Sequence, residues 1–161
     1  MRIIVLGLGN DLLADDGIGH LAVAQLGPRL AGRADVEATA LHGLALLDVL
    51  AGYDAAVVLD AAVTGAHPVG EVHEIAADSL ARIQNPSPHF AGFPEMLDLA
   101  ARLELHFPQK LRIIAVEVLD PYTVGGVMTP AVRAALPELC ERAMRAVGEL
   151  EAEGRRPGSG S

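Results

Sequence analysis

The sequence predicts a single α/β domain, a three-layer α/β/α sandwich around a mostly parallel, twisted sheet of about five strands with one antiparallel edge strand. Short apolar segments typical of strands alternate with helical patterns along most of the chain, which favours parallel strands joined by crossover helices. The inner strand segments are apolar on both faces, as expected for strands covered by helices on each side. With 161 residues, 51% of them hydrophobic, the chain can bury one sizeable core, and residues 1–152 are assigned to that domain.

The first half of the chain supplies strands and helices in alternation. Residues 2–6 form an apolar first strand, and the helical pattern of residues 16–30 follows it after a glycine-rich turn. Residues 35–41 alternate with a period of two, and their polar face indicates a strand near an edge of the sheet. A short helix over residues 44–50 leads to residues 55–63, which are apolar on both faces and predict a central strand.

The second half begins with the antiparallel strand. Residues 71–75 alternate and follow the previous strand after a short turn, which indicates a hairpin and an antiparallel edge. A helix is predicted over residues 91–106, and the apolar residues 111–118 predict the last strand.

The chain closes with a helix and a tail. Thr129 and Pro130 have the residue types of a helix cap and a first helical residue, and Pro137 is expected to split or kink this helix. Cys140 lies on the apolar stripe of the helix, where we expect a small buried side chain. Residues 153–161 have nothing to bury and are predicted to be a disordered or non-native tail.

Charge, cysteine count and hydropathy indicate which partners and which compartment to expect. The chain has 12 basic and 21 acidic residues, a formal net charge of −9, and no clustered basic face of the kind that binds nucleic acid. A single cysteine cannot form an intramolecular disulfide, which fits a reducing compartment. The chain starts directly with a strand pattern, without a basic leader segment or an apolar run long enough for a membrane span. We therefore expect a cytoplasmic monomer without a nucleic-acid or membrane partner.

The glycine-rich turn at residues 7–19 is the most informative stretch. Its Gly-Leu-Gly segment follows a strand as in dinucleotide-binding proteins, but Leu12 replaces the third glycine of that fingerprint. Asp15 and Asp16 also lie where phosphate oxygens would bind, and like charges repel. The turn therefore predicts a site for a cation and excludes a nucleotide.

Three side chains are candidates for a metal site at the carboxyl edge of the sheet. Asp16 follows the first strand, Asp60 ends the central strand and His89 precedes a helix, so all three can reach the same edge. Two carboxylates and one imidazole suit zinc or nickel and leave coordination positions open. We expect the N-terminus of the helix to keep His89 neutral, which is the form that binds metal. Because a carboxylate in an apolar strand is costly to bury unpaired, a functional role is favoured for Asp60.

The neighbouring polar residues have structural interpretations. Either aspartate of the turn could cap the first helix, and Asp15 is the expected cap, which leaves Asp16 free. Asn10 can organise the turn or position a substrate, and both interpretations stay open. His20 and His42 can lie near the site, but the sequence identifies no partner for either.

Other catalytic chemistries find no support in the sequence. His67, His73 and His106 are expected to be solvated surface residues. The chain contains no Gly-x-Ser-x-Gly segment, and Ser79 and Ser87 have no plausible base nearby in the sequence.

These residues resemble one family, the hydrogenase maturation endopeptidases, which process the large subunit of nickel-iron hydrogenases. The resemblance rests on segments in the family's order and at its spacing, and it extends over most of the chain. The segments are Gly7-x-Gly9-Asn10-x-Leu12-x-x-Asp15-Asp16-Gly17-x-Gly19, Val58-Leu59-Asp60-Ala61, Ser87-Pro88-His89-x-x-Gly92, and Leu119-x-Pro121 through Met128-Thr129-Pro130.

The resemblance implies an endopeptidase that removes a C-terminal extension from the precursor of the large subunit after nickel has been inserted. The family's metal-contacting positions fall on Asp16, Asp60 and His89, which are therefore expected to contact nickel and to be catalytic. The nickel is expected to arrive with the substrate and not to be bound permanently. Many relatives have glutamate where this chain has Asp16, so the metal geometry is expected to differ in detail.

Two other functions are compatible with the same residues. A nickel-binding delivery module would use the three ligands and retain the metal without hydrolysing a bond. A generic α/β hydrolase of small peptides or amides would act without nickel. The sequence does not identify which aspartate is the general base.

Overall fold

A five-stranded sheet forms the centre of the protein in the computed structural model, which describes residues 1–80, 82 and 87–156. The strands are β1 (Ile3–Leu8), β2 (Asp35–Thr39), β3 (Ala55–Ala62), β4 (Val72–Ile75) and β5 (Lys110–Glu117). Their order in the sheet is β2-β1-β3-β5-β4, and all pairs are parallel except β4 with β5. The predicted fold class is confirmed, including the central position of the third strand and the edge position of the second.

Helices cover both faces of this sheet. They are α1 (Ile18–Leu30), α2 (Leu46–Leu50), α3 (Phe93–Arg102), α4 (Pro130–Ala134) and α5 (Leu136–Gly154). Helices α1 and α5 pack on the face that contains Val5 and Val57, whereas α2 and α3 pack on the face that contains Leu6 and Val58. Because successive side chains of a strand point to opposite faces, each inner strand serves two cores. None of the helices in the described part of the chain combines the length and apolarity needed to cross a membrane.

The partner of β4 differs from the prediction. A hairpin with the preceding strand was expected, but β4 pairs antiparallel with β5, with Val72 opposite Val116 and Ile75 opposite Ile113. Both sides of β3 are occupied by the parallel strands β1 and β5, so β4 can only join the open edge of the sheet. The antiparallel edge strand is confirmed, and the hairpin is wrong.

The end of the chain agrees with the prediction in part. Residue 135 separates α4 from α5, and Pro137 lies in the first turn of α5, where its missing N–H is tolerated. Cys140 is buried on this helix, as expected. The helix continues to Gly154, two residues past the predicted end of the domain at residue 152. The remainder of the predicted tail, residues 157–161, lies outside the described residues.

The carboxyl edge of the sheet carries the loops that matter for function. The loops after β1, β2, β3 and β5 all leave from this edge because these four strands are parallel. Gly7 of β1 is level with Leu59 of β3, so Asp60 lies beside Leu8 just before the first loop begins. Polar residues on separate loops can therefore converge here without disturbing the core.

Candidate active site

The structure brings the three predicted residues together at this edge. Asp16, Asp60 and His89 each offer one ligand atom, and these atoms all lie within 4.8 Å of one another. Their side chains belong to the first loop, the end of β3 and the segment before α3. All three residues are buried, with exposed fractions of 1%, 0% and 5%. The predicted convergence is confirmed, whereas the catalytic and metal-binding roles stay predictions.

Asp16 is positioned by the glycine-rich turn. Gly9 has a φ of +138°, and a Cβ atom there would lie 2.0 Å from the backbone oxygen of Asp16, so only glycine fits. The backbone N–H of Asn10 donates to Oδ2 of Asp16 at 2.8 Å. The Asn10 side chain accepts a hydrogen bond from the N–H of Leu12 at 3.0 Å. Of the two interpretations of Asn10, these contacts support the organisation of the turn.

Gly19 has a structural role at the beginning of α1. A Cβ atom on Gly19 would lie 2.4 Å from the carbonyl oxygen of Leu8 and 2.8 Å from that of Leu59. The glycine therefore lets α1 pack directly against the ends of two strands. Its function is close backbone packing, which needs no phosphate.

Asp60 is a buried carboxylate with incomplete hydrogen bonding. Its Oδ1 accepts from the N–H of Ala61 at 2.8 Å, and its Oδ2 has no hydrogen-bond partner among the described residues. Burial raises the pKa of Asp60 to about 7, although the neighbouring His89 and Ser87 act in the opposite direction. An unpartnered oxygen on a fully buried carboxylate indicates a group that is kept available for a ligand.

His89 lies in a 3-10 turn, Pro88–Phe90, in which the Ser87 hydroxyl accepts from the His89 N–H at 3.2 Å. Its Nε2 lies 3.1 Å from Oδ2 of Asp16, and its Nδ1 has no partner among the described residues. Burial alone would lower the pKa of His89, but the hydrogen bond to Asp16 and the charges of Asp60 and Asp16 together raise it. The two carboxylates therefore favour the charged imidazole, in opposition to the expected effect of a helix N-terminus, and the neutral form stays a prediction.

Asp15 does not cap a helix, contrary to the prediction. Its carboxylate accepts hydrogen bonds from the N–H and hydroxyl of Thr129 at 2.7 and 2.8 Å. The N–H groups of Asp120 and Leu119 donate to it as well, at 3.1 and 3.3 Å. Asp15 is thus a buried anchor for the loop at residues 119–129. No local pattern could have revealed this, since the partners lie more than 100 residues away in the chain.

His73 is also placed differently from the prediction. It was expected at the surface, but it is buried with Nε2 at 3.1 Å from Oε2 of Glu117, and its ring stacks on that of His67 at 3.9 Å. Glu117, which the sequence reasoning missed, also accepts hydrogen bonds from the backbone and hydroxyl of Thr64 and from the N–H of Gly65. The pair therefore fastens the loop between β3 and β4 to the end of β5.

The remaining histidines lie outside the cluster. His106 is exposed, as predicted, and its Nε2 lies 2.7 Å from Oδ1 of Asp54 near the amino edge of the sheet. His42 is exposed on the loop after β2. His20 lies on α1, and its Nε2 is buried without a partner among the described residues. None of these three belongs to the group of Asp16, Asp60 and His89.

The donor set fits a borderline divalent cation. Two carboxylates and an imidazole combine oxygen and nitrogen ligands, as zinc and nickel accept, and three protein ligands leave coordination positions for a substrate. The unpartnered Oδ2 of Asp60 shows that hydrogen bonding within the described residues does not satisfy the cluster. A metal ion or a substrate group would supply the missing interactions.

Comparisons with known proteins agree on one family. The model of the hydrogenase maturation protease family matches residues 39–146. A hydrogenase expression/formation protein, HupD of Rhizobium leguminosarum bv. viciae, is 33% identical over 149 residues, which are 89% of this chain and 73% of the relative. The hydrogenase 2 maturation protease of Escherichia coli is 31% identical over 159 residues, 95% of this chain and 94% of the relative.

A solved structure extends this likeness to the fold. The hydrogenase maturating endopeptidase HybD from E. coli superposes with a TM-score of 0.78 at 30% sequence identity. The match covers 92% of this chain and 93% of that structure.

Proposed function

The chain belongs to the hydrogenase maturation protease family, a family of peptidases, and on this basis we propose that it removes the C-terminal extension of a nickel-iron hydrogenase large-subunit precursor. We propose further that it recognises nickel already held by that precursor, through Asp16, Asp60 and His89. A cytoplasmic location and a monomeric state remain predictions.

The incomplete hydrogen bonding of the cluster is the observation that carries this proposal. Buried polar atoms in native proteins are rarely left without a partner, because each unsatisfied group lowers stability. Here Oδ2 of Asp60, at 0% exposure, lacks a hydrogen-bond partner among the described residues. A cation or an attacking water brought into the cluster with the substrate would satisfy this oxygen during the reaction.

The arrangement supports a division of tasks among the three residues. The carboxylate of Asp16 is oriented by the N–H of Asn10 and by the His89 ring, so Asp16 and His89 form a preset pair for the substrate's nickel. Asp60 has the freer oxygen and is the better placed aspartate to accept a proton from an attacking water. Holding the peptide bond beside this base can supply a large share of the rate enhancement, and the nickel would polarise the carbonyl or the water.

Cleavage of purified precursor tests the proposal. The protein is mixed with nickel-loaded and nickel-free precursor, and the mass of the large subunit is measured over time. We expect a shortened subunit only with the nickel-loaded precursor. Cleavage of both forms would contradict nickel recognition. No cleavage, together with nickel retained by the isolated protein, would contradict the peptidase proposal and favour the delivery module.

A matched variant separates the site from general electrostatic effects. Asp54 and His106 form another carboxylate–imidazole pair, 2.7 Å apart, which is exposed and lies near the amino edge of the sheet. The Asp54→Asn variant should therefore cleave at the wild-type rate, whereas Asp16→Asn should not cleave.

A further inference from the structure

Exposed apolar side chains are concentrated around the site. Among the described residues, nine of the twelve large hydrophobic side chains that are exposed lie on loops at the carboxyl edge of the sheet. They are Leu12, Leu41, Leu44, Val63, Val69, Leu119, Tyr122, Val124 and Val127. The other three, Met1, Leu103 and Leu105, lie near the amino edge. A concentration of exposed apolar side chains at one edge commonly marks a binding site for another protein.

Two of these loops are joined into one surface. The N–H of Ala14 donates to the carbonyl of Thr123 at 2.9 Å, and the N–H of Gly125 donates to that of Leu12 at 2.8 Å. Leu13 and Val124 form an antiparallel bridge. Together with the hydrogen bonds of Asp15 to residues 119–129, these contacts hold the backbones of the two loops against each other. We call residues 10–17 and 119–129 the joined loops.

A cleft of about 530 Å³ opens between the joined loops and α1. Leu21, Val127 and Met128 form its apolar wall, and its polar lining includes Asp11, His20 and Arg133. Ala14 and Gly17 also line the cleft, and Asp16 of the candidate site lies between them in the chain. The cleft and the catalytic cluster therefore share the same turn as a wall.

We propose that this cleft and the exposed side chains of the joined loops bind the C-terminal segment of the precursor next to the bond that is cleaved. This inference rests on the proposed peptidase function, because a scissile bond at Asp16 places the flanking residues of an extended substrate beside the shared turn. An extended chain advances about 3.3 Å per residue, so side chains within a few residues of that bond reach the cleft. The wall of Leu21, Val127 and Met128 accepts apolar side chains of that segment.

Direct binding tests the surface independently of cleavage. All proteins carry Asp60→Asn, so that the bound precursor is not processed, and binding of purified nickel-loaded precursor is measured by calorimetry. The test variant adds Val124→Ser and Val127→Ser, whose side chains are 77% and 90% exposed and therefore contribute little to the fold. The control adds Leu103→Ser and Leu105→Ser near the amino edge. We expect about tenfold weaker binding for the test variant, since two apolar contacts are lost, and no change for the control.

Each other outcome is informative. Equal affinity of the test and control variants would overturn the inference. A wild-type dimer in light scattering that the two valine substitutions dissociate would overturn it as well, because the surface would then belong to a second copy of the chain. Cleavage is measured in parallel with Asp60 intact. If binding shows the expected pattern but wild-type protein does not cleave, the peptidase proposal fails and the docking surface stands.

Discussion

Asp15 and Asp16 are neighbours in the chain and equally buried, yet their surroundings differ completely. All the hydrogen bonds that the carboxylate of Asp15 accepts come from the loop at residues 119–129. The carboxylate of Asp16 contacts the Asn10 N–H and the ring of His89, beside Asp60. One aspartate completes the structure, whereas the other is part of a cluster that still has unsatisfied atoms.

A buried carboxylate can stabilise or destabilise the fold, depending on how many hydrogen bonds it accepts. Donors that fully surround a charge compensate for the loss of water, so that the group stabilises the fold. In the cluster, Asp60 is buried without full compensation, and its pKa rises to about 7 as a result. Such a site lowers stability in order to retain reactivity, which is common at active sites. We therefore expect substitution of Asp15 or its partners to lower stability more than activity. Substitutions in the cluster should lower activity more than stability.

The largest expected effect is on cleavage. Asp60→Asn or His89→Ala should lower the rate of precursor cleavage by about 10³-fold or more, because each removes a group that acts on the reacting bond. Cleavage is followed by mass spectrometry, and circular dichroism checks the fold. Asp54→Asn, in the exposed pair, is the control with wild-type activity. Wild-type rates for both cluster variants would show that the active site lies elsewhere.

For Asp15 and its partner Thr129, the main effect is expected on stability. Asp15→Asn replaces an accepting oxygen with an NH₂ group that faces buried donors, and should lower the free energy of unfolding by about 2–3 kcal/mol. Thr129→Val removes only the hydroxyl donor, for about 1 kcal/mol. In urea denaturation the double variant should lose less than the sum of the two single variants, because they share one interaction. Strict additivity would contradict a direct contribution of this hydrogen bond.

Substitution of Asp60 is expected to have a smaller effect on stability, and to raise it where substitution of Asp15 lowers it. Since its pKa is raised, the folded protein binds the carboxyl proton more tightly than the unfolded chain, and this contribution to stability is lost as pH rises from 3.8 through about 7. At pH 8, Asp60→Asn should therefore raise the melting temperature by roughly 3 °C. Asp54, whose pKa is lowered mainly by a hydrogen bond from the backbone of Arg2, should show the reverse in its Asn variant. A lower melting temperature for Asp60→Asn at pH 8 would contradict the conclusion that burial of the charged Asp60 carboxylate destabilises the fold.

The smallest effect on stability is expected for His73. Its ring, like the carboxylate of Asp15, is buried with a polar partner, here the carboxylate of Glu117. Burial and the neighbouring His67 lower the pKa of His73, although Glu117 opposes the shift. The unfolded chain therefore binds the proton more readily, and stability falls as pH decreases below 6.5. His73→Gln should reduce the loss of stability between pH 7 and 5, measured in urea titrations. An unchanged pH dependence would mean that His73 does not contribute to it.

The sequence predicted the layers of the fold and the three clustered residues because both depend on local patterns. Apolar strands that alternate with helices determine a parallel sheet, and the ends of parallel strands share an edge. Asp16, Asp60 and His89 could therefore be placed together without knowledge of any contact.

The errors concern contacts between distant parts of the chain. The anchoring role of Asp15 depends on a loop more than 100 residues away, and the position of β4 depends on which side of β3 is already occupied. His73 was expected at the surface because its strand alternates at an edge, but the ring of His67 and the carboxylate of Glu117 cover it. Local periodicity does not contain such information.

The pair Asp15→Asn and Asp16→Asn tests the central claim most directly, because the two changes are chemically identical and adjacent. Both variants are measured for unfolding in urea and for cleavage of nickel-loaded precursor at a temperature at which both are folded. We predict that Asp16→Asn retains the wild-type free energy of unfolding within about 1 kcal/mol and loses cleavage. Asp15→Asn should lose about 2–3 kcal/mol of stability and still cleave, with a higher KM. An inactive but stable Asp15→Asn protein, beside an active but destabilised Asp16→Asn protein, would contradict the account.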